Sequence, residues 1–218
     1  MRQRARSTDD KQRRSEDLLV AAESIALERG GVRFVTLAPV TERARLHRTG
    51  VRRYYASKEE LLLELAERGW RQWSAAITDD VRDRDELKPR DVATVLADTI
   101  ASLPVFCDLL THVTLSLEGD VDIERARQYK TNSFPAHDEI VDVLDRVSSM
   151  TVDQIQTLVA ATLAFAATFW QVSHPTPTLA VLYEQVPHWG HVALDFNPRL
   201  RLLLQSTAIG LTETLSTP

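Results

Sequence analysis

The densest set of side chains able to do chemistry lies in one stretch, His47-Arg48-Thr49-Gly50-Val51-Arg52-Arg53-Tyr54. A guanidinium grips O6 and N7 of guanine in a bidentate way, and a threonine bonds a phosphate or touches a thymine methyl. Those groups read a DNA edge if they share one exposed face. A helix over 48–54 gives them that face. It puts Val51 and Tyr55 four apart on the inward side and leaves His47, Arg48, Thr49, Arg52 and Arg53 outside. Tyr54 stands at its tip, and Thr36 and Lys58 flank it as phosphate contacts. Charge alone favours a plainer reading, a solvated basic helix.

Other chemistries find less support. No nucleotide loop, zinc pattern or nucleophile elbow occurs, so no catalytic residue, metal site or cofactor is assigned. His188 and His191 stand three apart but have no Cys or third ligand beside them. His112, between Thr111 and Thr114 on an apolar segment, is either a satisfied core histidine or a polar handle in a ligand cavity. With His137, Asp138 and Glu139 it defines the alternative function, a helical enzyme or small-molecule carrier without DNA binding. Nothing in that group shows the paired geometry of general acid–base catalysis.

The elements that must position these residues are helical. Hydrophobic residues make up 44% of 218 positions, and only seven are glycine. This composition fits a folded, all-α protein. The single Cys107 allows no internal disulfide and points to a reducing compartment. No apolar leader follows the basic start, and no run approaches membrane length, so a cytoplasmic protein with no membrane partner is expected. Charge is unevenly spread. Residues 1–60 carry 14 Lys+Arg against 9 Asp+Glu, and the rest carries 12 against 22, so a basic end of +5 joins a body of −10. Such a chain approaches DNA by one end.

Along the chain, a polar start contains Arg2, Arg4 and Arg6, either a solubilising tail or an arm for a minor groove. A helix over 11–29 ends at Gly30-Gly31. Phe34 is expected in the core of the small first domain. Thr36 caps a second helix with Leu37, Val40 and Ala44 inward, and 45–47 make the turn. Ser57 and Glu60 form a capping-box pattern at the start of the next helix, whose Trp70 and Trp73 pack between helices. Residues 79–89 read as a charged loop or frayed helix end. Helical periodicity resumes over 91–103, is interrupted at Pro104, continues over 105–117 and ends at Gly119. Another helix spans 121–132, Ser133-Phe134-Pro135 breaks or kinks it, and 136–147 resumes. Thr151 and Gln154 open a helix that is nearly all apolar over 158–170 and needs partners on every side. A partly helical connection over 173–197 leads to a last helix, with Asn197 as cap and Pro198 at its first position. Its apolar face runs from Leu200 to Leu215.

The segment from about Arg14 to Trp70 resembles the DNA-binding domain of the tetracycline-repressor (TetR) family of one-component regulators. The matching residues are the Leu18, Leu19, Ala22, Ala26 stripe ending at Gly30-Gly31, then Thr36 and the turn. After them comes Tyr54-Tyr55-Ala56-Ser57-Lys58-Glu59-Glu60-Leu61-Leu62, similar to the family's aromatic-x-Ser-Lys-Glu-x-Leu signature. The family usually has Gly where this chain has Arg45 and Tyr where it has Arg52. The resemblance implies a helix-turn-helix domain over 1–56 and a helical ligand-binding and dimerisation domain over 57–218. It implies a ligand-responsive DNA-binding regulator, a repressor released from a double-stranded operator by a small apolar effector. The all-round apolar character of 158–170 and the leucine face after Asn197 predict a homodimer built from the helices over 151–171 and 198–215; both helices completing a monomer core is the other reading. Pocket candidates are Phe106, Leu110, His112, Val113, Phe134, Phe165, Phe169 and Trp170. By residue type alone these aromatics are more often plain core.

Overall fold

The computed structural model describes residues 2–47, 50–192 and 195–214, with side chains for 10–47, 50–190 and 195–213. Arg48, Thr49 and Leu215 therefore lie outside the described residues, as do the side chains of Arg2, Arg4, Arg6 and His191. Nine α-helices follow one another within the described residues, and no strand occurs among them. α1 spans Arg2–Arg29. It starts nine residues earlier than the expected 11–29, because no Gly or Pro interrupts the chain before Gly30. Its stripe of Leu18, Leu19, Ala22, Ile25 and Ala26 is buried. Gly30 takes φ 73 and ends the helix in the left-handed conformation.

A 3-10 turn over Val32–Phe34 leads to α2, Leu37–Arg43. Phe34 is not core: it is 39% exposed, with the Arg33 guanidinium 4.7 Å from its ring. Val32 and Val35 fill the interior in its place. Thr36 stands at the cap of α2 with extended backbone, but its side chain makes no capping bond. Glu28 and Arg43 clamp α1 to α2 through two bonds of 2.6 and 2.7 Å, and this pairing holds the Glu28 carboxyl below its usual range.

Of the helix expected over 48–54, Arg48 and Thr49 lie outside the described residues, and Val51–Arg53 forms a 3-10 turn. Gly50 lowers the helical preference of the segment. α3, Lys58–Val81, begins where Ser57 Oγ accepts the Glu60 N–H at 3.3 Å. The reciprocal half of the box is shifted by one, since Glu60 Oε2 accepts from Ala56 N at 2.7 Å.

α4, Pro89–Ala101, and α5, Pro104–His112, meet at a 91° bend at Leu103-Pro104. α5 passes into a π-helical turn, Val113–Leu117. The charged link before α4 is tied back by Leu87, whose N–H donates to Val147 O at 2.7 Å. α6 runs over Ile123–Val147 with Pro135 inside it, so of the expected break or kink the break does not occur. Packing on α3 overrides the local breaker. Glu67 bonds Arg125 and Asn132 before the proline, and Ser74 bonds Glu139 after it. Trp70 and Trp73 are buried, their indole N–H groups donating to Tyr129 and Thr99.

α7, Val152–Ser173, carries a reciprocal capping box between Thr151 and Gln154. At 22 residues it is long and apolar enough to cross a membrane, because the helix extends beyond the 158–170 run at both ends. Only 28% of its most apolar window is buried in the single chain, whereas burial on every side was expected. α8, Pro177–Gln185, and a 3-10 turn over Pro187–Val192 lead to α9, Phe196–Thr214. α9 starts at Phe196, so Asn197 is inside the helix and not its cap. α4, α7 and α9 pack together, with Arg201 bonding Asp98 and Gln154 bonding Leu211 O. Leu200, Leu204 and Ala208 form the buried edge of α9.

Candidate nucleic-acid interface

The basic turn is held from below. Val51 is 4% exposed and Tyr55 is 2% exposed, so the inward pair sits as its spacing requires. Burying a valine contributes about 1.5–3 kcal/mol. The Tyr55 hydroxyl bonds Ser15 at 2.7 Å, and Ser15 donates to Glu64 at 3.2 Å. One small network thereby joins α1, the turn and α3. Burial, with the Glu64 charge nearby, pushes the Tyr55 phenol well above its ordinary range, so it stays a neutral hydrogen-bonding post.

On this base Arg52 and Arg53 are exposed, His47 and Lys58 are exposed, and Tyr54 is half-buried. Thr36 is also exposed, with its hydroxyl unused by the helix it precedes. Among the described residues the ion pair of Lys58 is a long one to Glu59, 3.7 Å, which costs little to exchange for a phosphate. Of the eight proposed DNA-facing residues, these six lie on the described surface, and Arg48 and Thr49 fall in the undescribed pair between them. Arg45, before the turn, has φ 54.

The pocket candidates are less gathered. Phe106 is buried against Trp70 and Trp73, with centroids 5.5 and 6.3 Å apart. A Cβ on Gly69 would overlap its ring, so that glycine permits the contact. Leu110 and Val113 are buried. His112 is 31% exposed, its Nε2 3.8 Å from Asp108. Phe165 and Phe169 are half-buried, 6.1 Å apart. Trp170 stacks on His174 at 3.7 Å and meets Phe196 edge-on. Phe134 is 56% exposed on α6, so its ring faces solvent in the single chain. Thr111 Oγ1 donates to Ala167 O at 2.7 Å and locks α5 to α7. Of the alternative cluster, His137 contacts only its chain neighbour Asp138 among carboxylates, at 3.1 Å, while Glu139 accepts from Ser74.

Residues 67–214 match the family described as tetracycline-repressor-like, C-terminal domain. The chain belongs to that family. Among curated proteins no sequence relative matches. Among solved structures, the FadR transcriptional regulator of Bacillus subtilis, in complex with stearoyl-CoA, is similar at 16% identity and a TM-score of 0.53, over 90% of this chain and 96% of that one. At this identity the likeness is one of fold. RolR in complex with resorcinol is similar at 16% identity and a TM-score of 0.49, over 97% of each chain. As a member of the tetracycline-repressor-like family, the chain is a ligand-responsive transcriptional regulator.

Within that family framework, Arg45 occupies the place where the sequence resemblance sets a glycine, and its positive φ explains the usual choice. The functional geometry also includes a residue that the motifs did not single out. Asp108, 6% exposed, accepts the Val32 N–H at 2.6 Å and the Gln171 amide at 2.7 Å. One carboxylate thus ties the N-terminal helices to α5 and α7. A lone Asp inside the apolar run VFCDLLTHV was the available signal, since a charged residue on a buried face needs partners.

Proposed function

We propose that this chain is a homodimeric repressor whose recognition surface is the turn at Val51–Arg53. The observation that carries the reading is the exposed Arg52–Arg53 pair, anchored through buried Val51 and Tyr55, at the basic end of an otherwise acidic chain. Arg52 and Arg53, with His47, Arg48, Thr49 and Tyr54, would face the major groove, and Thr36 and Lys58 would hold phosphates. Residues 1–56 serve as the DNA-binding domain and 57–218 as the ligand-binding and dimerisation domain, acting in the cytoplasm without catalysis.

The two-fold partner covers the open faces of α7 and α9. Ala160, Ala164 and Thr168 line the exposed side of α7 at a spacing of four, and small residues let helices approach closely. Two copies then present two recognition turns to two half-sites. A small, largely apolar effector occupies the region between α5, α6 and α7, lined by Leu110, His112, Val113, Phe165 and Phe169. It favours the arrangement whose recognition turns are wrongly spaced for DNA. Only its differential affinity for that arrangement does work, and a tenfold loss of DNA affinity needs about 1.4 kcal/mol. α3 is the transmitter, joined to Ser15 and Tyr55 through Glu64 at one end and to α6 through Glu67 further along.

Selection of bound duplexes from a random pool tests the reading. A near-palindrome with half-sites about one helical turn apart is the expected product. A pool that shows no enrichment after repeated rounds contradicts it.

A further inference from the structure

A cavity of about 190 Å³ lies between the end of α1, the start of α5 and the end of α7. Leu27, Pro104, Val105 and Trp170 give it apolar walls, and Asp108 and His174 are the polar residues of its lining. Asp108 is 6% exposed. Its Oδ2 accepts from Val32 N and its Oδ1 from Gln171 Nε2. A carboxylate has about four lone-pair positions, so acceptor capacity remains. Among the described residues no Lys or Arg pairs with it, and His112 stands 3.8 Å off.

A carboxylate in an apolar wall without a full cation carries a desolvation cost that a cationic occupant would offset. Trp170, stacked on His174 at 3.7 Å, bounds the cavity on the α7 side.

The geometry points to a binding site for a small apolar molecule bearing one ammonium group. The ammonium sits on Asp108, and the apolar body lies against Leu27, Pro104 and Trp170. This site is separate from the effector region between α5, α6 and α7. An ammonium on Oδ2 also competes with the Val32 N–H, so the ligand acts on the tie between the N-terminal helices and α5.

Calorimetric titration of the purified full chain with benzylamine, toluene and benzoate tests this, and it uses no DNA, so its outcome is separate from that of the regulatory reading. Benzylamine should bind one per chain, about tenfold or more tighter than toluene, with benzoate weaker still. Asp108→Asn keeps an oxygen for one N–H and should remove the benzylamine preference while leaving toluene unchanged. Leu27→Trp, at a position 55% exposed, should close the mouth and abolish binding of both. Absence of benzylamine binding overturns the proposal, as does benzoate binding equal to benzylamine. Unchanged benzylamine affinity in a folded Asp108→Asn also overturns it. Should Asp108→Asn melt before titration, Leu27→Trp decides, and wild-type affinity in that variant rules the site out.

Discussion

At the residue scale, the interface mixes what spacing dictates with what only backbone geometry reveals. Val51 and Tyr55 were legible because an i, i+4 apolar pair among arginines has one way to face a core. Arg45 is different: nothing in its side chain announces φ 54. A non-glycine residue there costs about 1–2 kcal/mol, of which the greater chain entropy of glycine takes back about 0.5–1. Arg45→Gly should therefore stabilise the protein by about 0.5–1 kcal/mol, a rise of about 1–4 °C in Tm by calorimetry. An unchanged or lower Tm would show that the Arg45 side chain compensates elsewhere. Phe34 was misread because a single aromatic in a three-residue turn has no periodicity to fix its direction. Lys58 belongs to this scale too. Lys58→Ala should weaken binding to all duplexes alike and reduce the salt slope by about one. A change confined to one sequence would assign Lys58 to base reading.

At the scale of elements, the helices were readable apart from the segment around Val51–Arg53, and the departures have local causes. Pro135 suggested a break because its ring removes an N–H and crowds the preceding turn. The contacts of α6 with Glu67 and Ser74 on either side of it hold the helix together. At Val51–Arg53 the local sequence prevails instead: Gly50 weakens a helix there, and a 3-10 turn forms with Val51 and Tyr55 buried and Tyr54 packed against the core. The start of α9 at Phe196 shows how a cap-like Asn197-Pro198 pair misplaces a boundary by two residues. The open face of α7 carries the dimer proposal. Wild-type protein at micromolar concentration should sediment at twice the 24.6 kDa chain mass, and Ala164→Arg should return it to the monomer mass. A monomeric wild type, or a dimer indifferent to Ala164→Arg, would place the interface elsewhere or remove it.

For the whole molecule, charge and connectivity argue together. The +5 end and the −10 body orient the chain on a polyanion, and α3 joins the two parts through Glu64 and Glu67. The polarity was plain in the sequence. The Asp108 link was not, because its partners, Val32 and Gln171, are 76 and 63 residues away along the chain. The pocket is the least legible part for the same reason: aromatic residues at helical spacing look alike whether they fill a core or line a cavity. Phe106 proves to be packed on two tryptophans, and Phe134 faces solvent. The central claim is that the turn carrying Arg52 reads base sequence. Its most direct test is an anisotropy titration of a selected duplex and a scrambled duplex, at fixed salt, with wild-type protein and Arg52→Ala. The expected result is a loss of about 1–3 kcal/mol on the selected duplex and little change on the scrambled one. Equal wild-type affinity for both duplexes, or an Arg52→Ala variant indistinguishable from wild type on each, would contradict it.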